Sequence, residues 1–188
     1  LMPEYELVVA TKDWHPPDHL SFASQHDGRS IGEAIEVDGL SQTLWPDHCV
    51  EGTAGAEFAA SLNTGGIDHV VRKGTDRKID SYSGFFDNGR RQATGLGEYL
   101  REEGVGEVFV LGLATDYCVK FTALDAQSLG FRTTLIADAC RAVNLRPEGP
   151  PPARLLWPRR HPRRPSLRGT RWRRRAAMRR TGRAVPRA

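Results

Sequence analysis

Val108-Phe109-Val110-Leu111-Gly112-Leu113-Ala114-Thr115-Asp116-Tyr117-Cys118-Val119 is the stretch on which the fold turns. Its first four residues are all apolar, as expected of a parallel strand buried on both faces. The Gly-Leu-Ala-Thr-Asp segment then turns the chain. Cys118 opens a helix expected over 120–129, with Phe121, Leu124 and Leu129 facing inward and Thr115 or Asp116 as its cap. A further strand is expected over 133–138. Upstream, 7–11 and 69–72 read as strands, with a short helix over 56–62 between them. A longer helix is expected over 90–103, where Ala93, Leu96 and Leu100 recur at helical spacing and Gly104 supplies the stop. Strand and helix alternate, which argues for an α/β fold with a parallel sheet covered on both faces. Ligands of such sheets lie beyond the carboxyl ends of the strands.

The 188 residues suffice for one such domain with a sizeable core. Charge divides the chain unevenly. Residues 1–149 hold 13 of the 27 Lys and Arg but all 23 acids, whereas 150–188 hold 14 Arg and no acid, so the formal charge of +4 belongs to the end of the chain. The expected organisation is a domain over 1–146 followed by an Arg/Pro-rich, disordered tail over 147–188. An RNA- or DNA-binding arm is the functional reading of that tail, since clustered arginines displace counterions from phosphate. Its residues are those of GC-rich codons almost throughout, so a segment read in the wrong frame is preferred and nucleic acid is not the expected partner. Three cysteines at irregular spacing (Cys49, Cys118, Cys140) make no disulfide framework, which points to a reducing cytoplasm. No apolar run reaches membrane-spanning length, and no membrane partner is expected.

Candidate chemistry gathers at the strand ends. In Asp13-Trp14-His15-Pro16-Pro17-Asp18-His19, an extended backbone puts Asp13 and His15 on one side. The two prolines stiffen the segment, so His19 can fold back toward the same point. Imidazole with carboxylate suits zinc, iron or manganese rather than calcium, although isolated surface groups would read the same way. Trp45-Pro46-Asp47-His48-Cys49 adds an aromatic ring and a third imidazole, with Cys49 most simply a small core residue. Cys118 at a helix amino terminus would feel the positive end of the dipole, which lowers a thiol's pKa, and nearby N–H groups could receive an oxyanion. A buried structural cysteine is the alternative. Lys73, ending the strand over 69–72, could reach Cys118 and favour its thiolate, or could be an ordinary solvated lysine.

Taken in order, the Asp13 to His19 and Trp45 to Cys49 motifs, Lys73-Gly74, Asp80-Ser81-Tyr82-Ser83-Gly84-Phe85-Phe86-Asp87-Asn88, and Gly112 to Val119 resemble the nicotinamidase/pyrazinamidase branch of the isochorismatase-like cysteine hydrolases. The resemblance spans residues 5–146 and implies a three-layer α/β/α fold with a mainly parallel sheet. It also implies hydrolysis of nicotinamide to nicotinate and ammonia, a step of NAD salvage, with pyrazinamide as a further candidate substrate and a homo-oligomer as a candidate assembly. By the same resemblance Cys118 is the nucleophile and Lys73 supports its thiolate. Asp13, His15, His19 and His48 are the metal ligands, for zinc first and iron or manganese otherwise. The N–H groups of Ala114 and Cys118 form the oxyanion hole beside a cis Leu113–Ala114 bond, and Trp45 and Tyr82 line a flat pocket for the ring.

The same family places, on a strand ahead of the metal motif, an Asp that takes the thiol proton. Only twelve residues precede Asp13 here, and Glu4 and Glu6 lie too close to the next strand for that part. A domain incomplete at both ends is therefore expected, with sheet edges left unpaired. The alternatives are a metal-free cysteine hydrolase acting on another amide, an inactive ligand-binding relic, and a nucleic-acid binder working through the Arg tail.

Overall fold

A computed structural model describes residues 2–145, so the Arg/Pro-rich tail over 147–188 lies outside the described residues. Eight regular elements follow in chain order: β1 (Val9–Asp13), β2 (Ala34–Val37), β3 (Leu40–Thr43), β4 (His69–Lys73), α1 (Leu96–Glu102), β5 (Glu107–Leu113), α2 (Lys120–Ser128) and β6 (Arg132–Arg141). β1 runs parallel to β4 and β5 parallel to β6, while β2 and β3 form an antiparallel hairpin. The expected single parallel sheet is thus present as two parallel pairs. Among the described residues, β1 is hydrogen-bonded only to β4, and β5 only to β6.

The register of β1 on β4 sets the site. Val9 pairs with His69 and Asp13 with Lys73, so a carboxylate and an ammonium leave two neighbouring strands at the same carboxyl end. Trp14 N donates to Lys73 O at 2.9 Å and carries the alignment one residue further. Val71, Phe85, Leu96, Leu100, Ala126 and Phe131 form the apolar cluster beneath, burying β4, α1 and α2 against one another. Each large side chain so buried stabilises the fold by roughly 1.5–3 kcal/mol.

Three expectations are corrected. The helix over 56–62 is absent: only a single 3₁₀ turn, Ala54–Ala56, stands there, and of its residues and the next six only Ala56 is buried. A segment that buries only Ala56 gains too little to fix its backbone as a helix, and the Asn63 side chain, accepting from Gly65 N, starts a separate turn. The helix over 90–103 begins only at Leu96. Its first part is spent on a turn in which the Asp87 carboxylate accepts from the N–H groups of Arg91 and Gln92. Around α2 the inward positions are Val119 just before it, Ala123 and Ala126, and Leu129 just after it packs on the core as expected, while Phe121 and Leu124 are 38% and 43% exposed. Helical spacing suits both stripes, and the small residues win because they let the helix lie closer to the strands.

Candidate active site

β1 delivers Asp13 and then His15. The backbone of His15 is clamped on both sides, its N–H donating to Cys49 O at 3.0 Å and its carbonyl accepting from Glu51 N at 2.8 Å. This ties the first motif to the segment carrying His48. Pro16 O accepts from His19 N at 3.1 Å, and that tight turn brings His19 back beneath His15, their rings 4.6 Å apart. Phe22 sits at the centre. It is fully buried, and its ring centroid lies 5.6, 5.6 and 5.7 Å from those of His15, His19 and His48. Sequence reasoning assigned Phe22 nothing. Its one signal was a large aromatic side chain three residues past His19.

Asp13, His15 and His48 each offer a ligand atom, and these atoms lie within 4.8 Å of one another. Hydrogen bonds fix both imidazoles for that purpose. His15 Nδ1 donates to Gly74 O at 2.8 Å and His48 Nδ1 to Pro46 O at 2.8 Å. A carbonyl can only accept, so each ring keeps its Nε2 lone pair free, the arrangement typical of metal-ligating histidines. The three residues therefore fit a divalent cation. Gly74 is required beside His15: its φ is +64°, and a Cβ there would stand 2.3 Å from His15 Cε1. His19 is not part of the three-residue set. Ser21 N donates to its Nδ1 at 3.0 Å, and burial, then the His15 charge, lower its pKa below the ordinary histidine value.

The second half of the site comes from β5. The Leu113–Ala114 peptide bond is cis, as the resemblance implies, and buried Ala114 leads into one π-type turn, Thr115–Val119, that carries Cys118 into α2. Neither Thr115 nor Asp116 caps it; the Asp116 carboxylate instead accepts from Val143 N and Asn144 N. Lys73 Nζ reaches Cys118 Sγ at 3.4 Å, donates to Ser81 O at 2.7 Å and bonds the Asp13 carboxylate. Buried Lys73 is thus no solvated lysine. Burial alone would lower its pKa, but the Asp13 charge, then Cys118, raises it well above the ordinary lysine value and keeps it cationic. The thiol departs from expectation: burial pushes the Cys118 pKa up, and the opposing pull of Lys73 is the smaller effect. Lys73 shares its charge with Asp13, so it cannot spend all of it on sulfur. Cys49, expected as a plain core residue, lies near enough to the Asp13 and Lys73 charges for both to act on its thiol, which burial raises.

Trp45 and Tyr82 lie side by side, Trp45 Nε1 donating to Tyr82 Oη at 3.1 Å. Burial, then the Asp80 charge, raises the Tyr82 pKa, so its hydroxyl stays protonated. Two rings that were not foreseen complete this wall. Tyr117 lies 4.7 Å from Trp45 and 5.2 Å from Tyr82, and Phe121 lies 5.6 Å from Tyr82. Tyr117 adjoins Cys118 in sequence, a signal that was available.

An isochorismatase-domain family model matches residues 24–148. The chain belongs to the isochorismatase family. Within it the similarity is to nicotinamidases: the Escherichia coli (strain K12) nicotinamidase is 52% identical over 143 residues, 76% of this chain and 67% of that protein. A solved Acinetobacter baumanii nicotinamidase pyrazinamidase superposes with a TM-score of 0.75 at 48% identity, covering 77% of this chain and 70% of the other. The Pyrococcus horikoshii pyrazinamidase solved in complex with zinc gives a TM-score of 0.55 at 37% identity, covering 73% and 63%. This member of the family thus spans about two thirds of the length of such relatives. Among its described residues, no helix is long and apolar enough to cross a membrane.

Proposed function

We propose that this chain is an amidohydrolase of the nicotinamidase type, cleaving nicotinamide to nicotinate and ammonia, with zinc as the expected metal and pyrazinamide as a second substrate. The observation that carries the reading is the contact of Lys73 Nζ with Cys118 Sγ in the same pocket as the Asp13, His15 and His48 ligand atoms. A nucleophile and a cation site side by side suit a substrate that carries both an amide and a ring nitrogen.

Asp13, His15 and His48 would hold the ion, and when bound it would supply a positive centre for the pyridine nitrogen, orienting the ring. The aromatic wall of Trp45, Tyr82 and Tyr117 offers that ring flat surfaces. Lys73, kept cationic by Asp13, favours the Cys118 thiolate against the cost of its burial. The sulfur attacks the amide carbon, and the N–H groups of Ala114 and Cys118 receive the oxyanion. The thiol's proton ends on the departing nitrogen, which leaves as ammonia. Water then divides across the thioester, its hydroxyl going to the acyl carbon and its hydrogen to sulfur. Among the described residues, the carboxylate bonded to Lys73 is Asp13.

Ammonia release from nicotinamide by the zinc-loaded chain tests this, with Cys118→Ala alongside. Loss of at least about 10⁴-fold in the variant is expected for removal of a covalent nucleophile. Release that survives in Cys118→Ala, or none from the intact chain, would overturn the reading.

A further inference from the structure

Gln42, on β3, is 1% exposed, and a side-chain amide so far removed from water costs free energy unless its polar atoms are bonded. Its Nε2 donates to Lys78 O at 2.6 Å, and its Oε1 accepts from Asp80 N at 2.8 Å. A carbonyl can only accept and an N–H can only donate, so these two partners also fix which way the amide faces. They flank Ile79, and the side chain holds this segment at two points, as one residue of a parallel strand holds its neighbour.

The next residues carry an acceptor for the lysine. Asp80 is buried, its Oδ1 accepting from Ser81 N at 2.6 Å and its carbonyl from Asn88 N at 2.8 Å. Ser81 O accepts from Lys73 Nζ at 2.7 Å, and the same ammonium reaches Cys118 Sγ at 3.4 Å. Trp45, three residues after Gln42, donates to Tyr82 Oη at 3.1 Å. One short stretch of chain thus grips the 78–82 segment on both sides of Ser81. A lysine ammonium rides on a flexible four-carbon stem, so the groups that accept from it decide where it stands.

We propose that Gln42 is a positioning residue for Lys73: through Asp80 and Ser81 it holds the carbonyl that keeps the ammonium against Cys118. The proposal rests on the reading of Cys118 and Lys73 as nucleophile and supporting cation.

Alkylation of Cys118 by iodoacetamide at pH 8, followed on its peptide by mass spectrometry of the zinc-loaded full chain, reads the lysine's effect on sulfur without any substrate. Gln42→Met keeps the length of the side chain and removes both bonds, and should slow that alkylation by about 5-fold. In a Lys73→Met background the same change should alter the rate by less than about 2-fold, because a residue that acts through the lysine has nothing left to position. Equal slowing in both backgrounds, or none in either, would overturn the proposal and leave Gln42 a brace of the fold. Gln42→Glu keeps the acceptor for Asp80 N and loses the donor to Lys78 O. It should regain part of the rate, and it carries the same comparison if Gln42→Met does not fold. With nicotinamide, kcat should fall by about 10-fold in Gln42→Met while KM stays within about 2-fold. A rise in KM alone would count against positioning at the nucleophile. No ammonia from the parent chain would sink the hydrolase reading, whereas the alkylation comparison would still decide for Gln42.

Discussion

At the imidazole corner, three rings pack around one fully buried phenylalanine, and each commits a nitrogen to a backbone group within a few residues or on the adjoining strand end. At the thiol corner, Cys118 meets Lys73 across two strand pairs that share no hydrogen-bonded ladder, and Leu113 just before the turn is 74% exposed. The first corner is held by many local contacts that support one another. The second is held by ring contacts and by the shared apolar cluster, and its lysine is divided between sulfur and Asp13. Ligand geometry is thus fixed by hydrogen bonds to backbone groups, whereas nucleophile reactivity is decided by the balance of burial and charge at Cys118.

Four substitutions test that contrast. Phe22→Ala removes the ring that all three imidazoles share, and should cost about 3–5 kcal/mol of stability by denaturant unfolding of the zinc-free chain. A cost below about 1 kcal/mol would mean that the corner collapses around the gap and is less rigid than described. Gly74→Ala sets a methyl against His15, and should weaken zinc by about 10- to 100-fold in a chelator competition while leaving Cys118 alkylation nearly unchanged. Equal loss of both would show that the corners are coupled. Lys73→Met removes the cation that opposes the burial effect on Cys118. The thiol pKa should then move further up, so that alkylation by iodoacetamide at pH 8 slows by about 10-fold, the effect of 1.4 kcal/mol. An unchanged rate would show that Asp13 had already neutralised the lysine as far as sulfur is concerned. Leu124→Gln alters only the exposed side of α2, and its unfolding free energy should stay within about 0.5 kcal/mol of the parent. A larger loss would place that face against something in the folded protein.

The strands over 69–72, 108–111 and 133–138 were legible because each carries a short apolar, largely β-branched or aliphatic core between turn signals. Each lies inside the observed β4, β5 or β6. β1 was foreseen two residues early, because Lys12 and Asp13 look like loop in sequence but are paired with Arg72 and Lys73 in the ladder. The inward face of α2 was misread because periodicity reports that a stripe exists and cannot say whether large or small residues fill it. Asp13, His15, His48, Lys73 and Cys118 could each be named as chemistry-bearing groups from their motifs. Tyr117, Phe121 and Phe22 were missed, since aromatic side chains carry no signature that separates a site wall from a core.

Sequence by itself determined which chemical groups the chain owns and the order in which strands deliver them. Residue type and short-range spacing are local properties, and the apolar runs, the prolines of the first motif and the glycine beside the lysine express them directly. Tertiary structure alone decided which nitrogen of each imidazole carries a proton, which carboxylate accompanies Lys73, and that burial outweighs the lysine at Cys118. Those outcomes depend on distances of a few ångströms between groups up to about sixty residues apart and on how far each is removed from water. Coulomb and desolvation energies at such range are set by the packed fold and by no single stretch of it.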